Sequence, residues 1–338
     1  MILITGATGL LGSHLLVQLS NKGITIRAMK RANSDFDLAK RVFSMFAQNP
    51  DKQFGQIEWV NGDLLDTSSL QDLLEGVDEI YHCAAIISFH PSLKRQMMHT
   101  NINGTANLVN MALLKGNVSF CHVSSIAAIG RSDNGAVITE NSLWKHSKDL
   151  SAYSVSKYGA EREVWRGIAE GLDAVIVNPS VILGPGNWKA GSSELFSLSW
   201  KGLQFFTNGV TGYVDVRDVA TAMILLMDGK HFGKRFILSA ENISYKDLFT
   251  WIAEDLGKKP PQIEVKAWMG EIAWRLFVIK GLFENKKPAI TRETARTSNA
   301  KKHYSSERLQ KTVNHKFIPI RQSIREISKV FLMEHSEK

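Results

Sequence analysis

The 338-residue sequence predicts an α/β fold: a doubly wound parallel sheet with a smaller, mostly helical C-terminal lobe. Three observations predict it. Short apolar runs alternate with stretches of helical periodicity through the first half of the chain, the pattern of strands joined by crossover helices. Those runs are apolar on successive positions, as strands covered on both faces must be. A glycine-rich turn joins the first run to the first helix.

The elements follow in order. "MILIT" reads as a buried strand ending at Gly6, and "LLGSHLLVQLSNKG" as a helix stopped by Gly23. "ITIRAMK", "QIEWVNGD", "VDEIYHCAA" and "VSFCHVSS" supply strands two to five, with helical patterns over 67–75 and 91–115. A polar loop (131–150), a helix over 152–170 and the sixth strand "LDAVIVNPS" follow. After Pro179 the pattern loosens. "ILGPGNW" reads as a loop, "GYVDVRDVATAMILLM" as a strand then a helix, and "GKRFILSA" as a further strand; helices dominate from about 243. Residues 1–180 thus form one region and 181–338 a second, interleaved because 210–240 returns to the sheet.

Composition narrows the class. Hydrophobic residues make up 44% and charged residues 22%, values of an ordinary globular protein. Met1 leads straight into "ILITG", without the features of a signal peptide, and no apolar run is long enough for an integral membrane span. Cys83 and Cys121 both fall in apolar strands, as buried thiols of a reducing compartment would, and the expected location is cytoplasmic. The net charge of +8 does not indicate nucleic acid. Ten basic residues and three acids lie between Lys280 and Lys316, so seven of those charges sit in one stretch that lacks stacking aromatics. A solvated basic face is the expected reading, with an anionic membrane surface or an acidic substrate as the alternatives.

"TGATGLLG" sets Gly6, Gly9 and Gly12 at the spacing of a dinucleotide-binding turn, between a strand and a helix. Gly6 permits the turn, Gly9 lets backbone approach a pyrophosphate, and Gly12 lets the helix pack on the strand. Thr8, Leu10 and Leu11 fill the turn, and the helix N-terminus favours phosphate. This is the Rossmann arrangement, with residues 1–180 holding the dinucleotide. The end of the second strand selects the cofactor. Here "ITIRAMKRANSD" has Arg27, Lys30 and Arg31 and no acid before Asp35. A guanidinium matches a 2′-phosphate where a carboxylate would not, so NADP is favoured over NAD, with Arg31 as the chief contact. Asp63 and Leu64 of "GDLLD" are placed to reach the adenine, although Asp66 or Thr67 nearby could simply cap a helix. Ala84 and Ala85 end the fourth strand with small side chains, and Pro179 and Ser180 end the sixth beside the nicotinamide. No residue cluster calls for a metal.

Tyr153 and Lys157 lie four apart on a predicted helix, hence on one face. The spacing alone is weak. It gains weight because the helix follows the fifth strand, whose end carries the pair Ser124–Ser125, where open α/β sheets place their ligands. A tyrosine has a pKa of about 10, and a neighbouring ammonium and a nicotinamide cation would lower it.

With the glycine turn, "GDLLD", "HCAA", "VSS" and Tyr153–Lys157 in that order, residues 1 to 245 resemble an extended short-chain dehydrogenase/reductase. "NINGTANLV", "NPSVILGPG" and "YVDVRDVA" resemble further segments of that family, with Asn178 where arginine is usual. "IRAMKR" and "VDVRDVA" resemble the dihydroflavonol reductase, 3β-hydroxysteroid dehydrogenase and aldehyde reductase branch. The resemblance implies a tetrad: Tyr153 as general acid/base, Lys157 on the nicotinamide ribose, Ser125 orienting the substrate oxygen with Ser124 as the alternative, and Asn101 fixing the relay beneath. It also implies either a monomer or a homodimer packed through the helices near 91–115 and 152–170.

Ile86, Phe89, Trp188 and Tyr213 are candidate walls of an apolar substrate site, joined by Ile87, Phe196, Phe205 and Phe206. Arg217 could meet a substrate anion, or pair with Asp215 or Asp218. "AWMGEIAWRLFVIKGLF" (267–283) reads as a lid, with a membrane-surface helix as the alternative. The expected activity is NADP-dependent reduction of a carbonyl, or oxidation of the matching alcohol, on a small, largely apolar molecule. A nucleotide-sugar epimerase or dehydratase with tightly held NAD is the alternative enzyme, and a non-catalytic dinucleotide sensor the alternative outside enzymes.

Overall fold

The protein is described from a computed structural model, covering residues 1–130, 135–145, 147, 150–265, 269 and 298–336. Seven parallel strands form the central sheet: β1 (Ile2–Thr5), β2 (Ile26–Lys30), β3 (Glu58–Asn61), β4 (Glu79–His82), β5 (Ser119–Val123), β6 (Ala174–Pro179) and β10 (Lys234–Leu238). Their spatial order is β10-β6-β5-β4-β1-β2-β3. β1 and β6 are buried along their whole length, which is why both read as unbroken apolar runs. Helices cover both faces, and two core clusters lie one on each side of the sheet.

The chain reverses its direction of travel across the sheet between β1 and β4. Such a switch point opens a crevice beyond the strand ends. Gly6 follows β1 there with φ +68°, and a Cβ on it would lie 2.7 Å from the Ala84 nitrogen beyond β4. Only glycine fits that approach.

Three departures from the sequence reading bear on the site. The crossover from β2 to β3 contains two helices, Asp37–Phe46 and Pro50–Gly55, which the sequence pattern did not single out. A parallel pair needs such a crossover. The stretch 91–115 is not one helix: a 3₁₀ turn (Pro91–Leu93), a short helix (Lys94–Met98) and a π turn (His99–Asn103) precede the helix Gly104–Lys115. Asn101 sits in the π turn, where its amide binds the backbone of Ile86 on both sides. Residues 210–240 divide between two sheets. β10 joins the central sheet beside β6, while β9 (Val210–Asp215), which follows the two-residue strand β8 (Phe205–Phe206), pairs with β7 (Val181–Leu183) and with β11 (Glu241–Ser244) in a separate three-stranded sheet.

β9 runs directly into the helix Val216–Asp228, capped by Asp215, and the helices Tyr245–Asp255 and Ile320–Ser336 close the C-terminal lobe. Trp188, Phe196, Tyr213 and Phe331 form its core. The stretch 267–283, read as a lid or a membrane-surface helix, lies outside the described residues except for Met269. Among the described residues no helix is long and apolar enough to cross a membrane.

Candidate active site

One cleft of about 2210 Å³ runs over the C-terminal ends of the sheet strands into the smaller lobe. Its walls at one end are the glycine turn and the ends of β2 and β3. Gly9 donates its N–H to the Gly6 carbonyl at 3.0 Å, which tightens the turn. The helix Leu10–Asn21 starts there, with its first N–H groups lacking intrahelical partners. A Cβ on Gly12 would collide with the Gly6 carbonyl. The turn therefore presents bare backbone to the cleft, which suits a pyrophosphate. Thr8, Leu10, Leu11, Asp63, Leu64, Ala84 and Ala85 also line the cleft.

At the end of β2 the three basic residues separate. Lys30 and Arg31 line the cleft together with Ser34. Lys30 donates to Asn61 Oδ1 at 2.6 Å and lies over the Phe36 ring. Arg31 is exposed, and its backbone N–H donates to Ser34 Oγ at 3.0 Å. Arg27 is not part of the cleft wall. It pairs with Glu58 at 3.0 Å and donates to the carbonyls of Leu73 and Glu75. The parallel register puts Arg27 directly beside Glu58 of β3, three residues short of the strand end. Ser34 went unnoticed in the sequence; its place three residues after Arg31 was the available signal.

The middle of the cleft is built by the end of β5 and the helix Ala152–Ala169. Ser151 caps this helix, and Tyr153 and Lys157 follow one turn apart on the face turned to the sheet. The Ser125 hydroxyl stands beside the Tyr153 phenol, and both line the cleft. Burial pushes the phenol up, and the neighbouring Ser125 hydroxyl opposes that rise. The expected lowering of this phenol is thus absent in the protein alone. Lys157 is buried, and its Nζ donates to the Val123 carbonyl at 2.8 Å. Burial brings its pKa down to about 8, against the opposing pull of the Glu161 carboxylate. Cys83 lines the cleft beside it, its thiol pushed up to about 12 by burial and so unreactive.

The serine pair resolves by direction. Ser124 Oγ points below the strand and donates to Glu161 at 2.6 Å. Ser125 faces the cleft, and its Oγ also accepts from the Ala127 N–H at 3.1 Å. Asn101 has its amide committed to Ile86 and to Ser156 Oγ, at 2.8 to 3.1 Å. It fixes the loop after β4 and the start of the tyrosine helix, rather than touching Tyr153 or Lys157. Beneath the strand ends, His82 sits between Thr5 at 2.7 Å and Thr105 at 3.0 Å.

Toward the lobe the walls are apolar: Ile86, Phe89, Leu195, Phe205, Phe206 and Phe249. Phe89 meets the Tyr153 ring edge-on at 5.6 Å between centroids. Pro179, Ser180 and Tyr213 border the same space. Two expected substrate contacts lie elsewhere. Trp188 is packed against Phe196 and Phe331 and donates to Glu334 at 2.6 Å, inside the lobe core. Arg217 is held by Asp215 and Glu326, both at 2.7 Å, away from the cleft. The Asp215 partner of Arg217 is the local alternative that the sequence offered, whereas Glu334 and Glu326 lie in the C-terminal helix, which the local sequence does not reveal. Among the described residues no group of histidine, cysteine and acids could hold a metal ion.

The comparisons agree with this geometry. A sequence model of the NAD dependent epimerase/dehydratase family matches residues 2–237. The sterol demethylase protein B of Methylococcus capsulatus is 28% identical, over 90% of each chain. A putative dihydroflavonol 4-reductase of Synechocystis is 31% identical, over 79% of this chain and 75% of its own. The crystal structure of gox2253 superposes with a TM-score of 0.81 at 29% identity, covering 99% of this chain and 98% of that one. The glycine turn, the parallel sheet and these matches identify an NAD(P)-dependent oxidoreductase of the extended short-chain dehydrogenase/reductase type: the chain belongs to the NAD dependent epimerase/dehydratase family.

Proposed function

We propose that the protein transfers hydride between NADP and a carbonyl, or the matching alcohol, on a small and largely apolar molecule. The observation that carries this reading is that Tyr153, Ser125 and Lys157 line the same cleft as the glycine turn. A bound nicotinamide supplies or accepts the hydride. The chain's own task is the proton on the substrate oxygen. Tyr153 donates it during reduction and accepts it during oxidation. Ser125 hydrogen-bonds the same oxygen and orients it. Lys157, one turn along, brings the positive charge that favours the phenolate form of Tyr153. Asn101 keeps the loop after β4 and the tyrosine helix in register.

Lys30, Arg31 and Ser34 support NADP, since a 2′-phosphate would find two cations and a hydroxyl beside it at the end of β2. The apolar walls support an apolar substrate, and relatives named dihydroflavonol 4-reductase and cinnamoyl-CoA reductase support reduction as the reaction. On this reading residues 1–180 hold the dinucleotide and the rest shapes the substrate site.

Fluorescence titration with NADPH and NADH, followed by NADPH consumption with a series of aryl and alicyclic ketones, tests the proposal. Tyr153→Phe is expected to abolish turnover by a factor of roughly 10² to 10⁴ while NADPH affinity stays within about twofold. Tightly retained NAD and no net consumption of NADPH would favour an epimerase instead. Unchanged behaviour of Tyr153→Phe would favour a sensor.

A further inference from the structure

The tyrosine helix carries a third polar residue on the face of Tyr153 and Lys157. Glu161 lies four residues beyond Lys157 and is 1% exposed. Its carboxylate accepts four hydrogen bonds, each from a different part of the fold. Ser124 Oγ donates at 2.6 Å from the end of β5, and Asn178 Nδ2 at 2.7 Å from β6. Arg235 donates at 2.9 Å from β10, and Trp165 Nε1 at 3.2 Å from the next turn of the helix. Arg235 is anchored in turn on the Glu140 carbonyl, at 2.9 and 2.6 Å.

The consequence is visible on β5. Three successive residues at its end are each held from the helix or β6: the Val123 carbonyl by Lys157, Ser124 Oγ by Glu161, and the Ser125 carbonyl by Asn178 at 3.0 Å. Asn178 bonds Glu161 and Ser125 with one amide nitrogen. β6 thus has an asparagine here, and the cation opposite Glu161 comes from the neighbouring strand β10.

We infer that Glu161 is a positioning residue, which together with Arg235 locks the Val123–Ser125 corner to the tyrosine helix and sets a fixed negative charge beside the Lys157 ammonium. The role it serves rests on the proposed function of Tyr153 and Lys157, but its effect on Lys157 does not. The other groups facing Lys157 are Tyr153 on its own helix, the Cys83 thiol beyond β4, and the buried rings of His82 and His122 from β4 and β5. Burial keeps both rings neutral near pH 7 and the thiol protonated. Glu161 is therefore the anion that offsets the desolvation of the ammonium. A neutral Lys157 would offer Tyr153 no charge.

The test reads Lys157 directly. The full-length protein labelled with ¹³Cε-lysine is titrated by NMR, and Lys157→Arg assigns the resonance. In the wild type the midpoint is expected near pH 8. In Glu161→Gln the ammonium-to-amine ratio at any pH should fall about tenfold, which is about one pKa unit. Glu161→Gln leaves Arg235 without its counter-charge and could prevent folding. The double variant Glu161→Gln/Arg235→Met removes both charges and is the better tolerated change; a downward shift is again expected, smaller than in Glu161→Gln because the repulsion of Arg235 is removed with it. An unchanged midpoint in whichever variant folds overturns the inference. NADPH oxidation with 4-phenyl-2-butanone is followed separately. If the wild type reduces neither this ketone nor the others tested, the reductase reading fails while the titration still decides the role of Glu161.

Discussion

Replacing Arg31 with alanine should cost NADPH affinity and leave NADH affinity alone. Arg31 stands exposed at the rim of the cleft beside Ser34, whereas Lys30 already donates to Asn61 and lies over Phe36. A charge-assisted hydrogen bond contributes about 1.5 to 3 kcal/mol. Exposure to solvent puts Arg31 at the lower end, about 1.5 kcal/mol, or roughly tenfold in Kd. Tryptophan quenching at low ionic strength measures both dinucleotides on the same sample. The NADPH advantage should also shrink in about 1 M salt, where the screening length falls to about 3 Å. Arg27→Ala is the control. Its guanidinium is tied to Glu58 and to the carbonyls of Leu73 and Glu75. It should destabilise the fold by about 1 to 3 kcal/mol and leave the NADPH-to-NADH ratio unchanged. Equal losses for both dinucleotides in Arg31→Ala, or a ratio that changes in Arg27→Ala instead, would refute the assignment.

Two further outcomes follow from burial. His14 and His82 have pKa values lowered by burial to about 4 and about 3, and His122 is also held well below the ordinary value. The folded rings stay neutral while the unfolded chain takes up protons below about pH 6.5, so stability is complete above that pH and declines as pH falls toward 4. Each ring removes about 1.4 kcal/mol per pH unit in that window. Urea midpoints at pH 7 and pH 5 check this, and equal midpoints would contradict it. Trp188→Ala should destabilise by about 3 to 5 kcal/mol, because it empties a site packed against Phe196 and Phe331, with NADPH affinity and KM little changed. A raised KM at unchanged stability would return Trp188 to the substrate site.

The sheet, the glycine turn and the tyrosine–lysine pair were legible in the sequence because each is local. Apolar periodicity shows which face of a strand or helix is buried, and Gly6, Gly9 and Gly12 announce a turn within one short segment. The same reasoning cannot separate Arg27 from Arg31. Both are basic and stand four residues apart in one short segment, and only the β2–β3 register places Glu58 beside the first. Ser124 and Ser125 are adjacent and chemically alike; the pleat turns one toward Glu161 and the other toward Tyr153. Trp188 and Arg217 are claimed by Glu334 and Glu326, more than a hundred residues along the chain. Glu161 meets Arg235 across 74 positions. Periodicity specifies what is buried, but which polar group answers which is decided by strand order and helix docking, where the cost of an unpaired buried charge selects the partner.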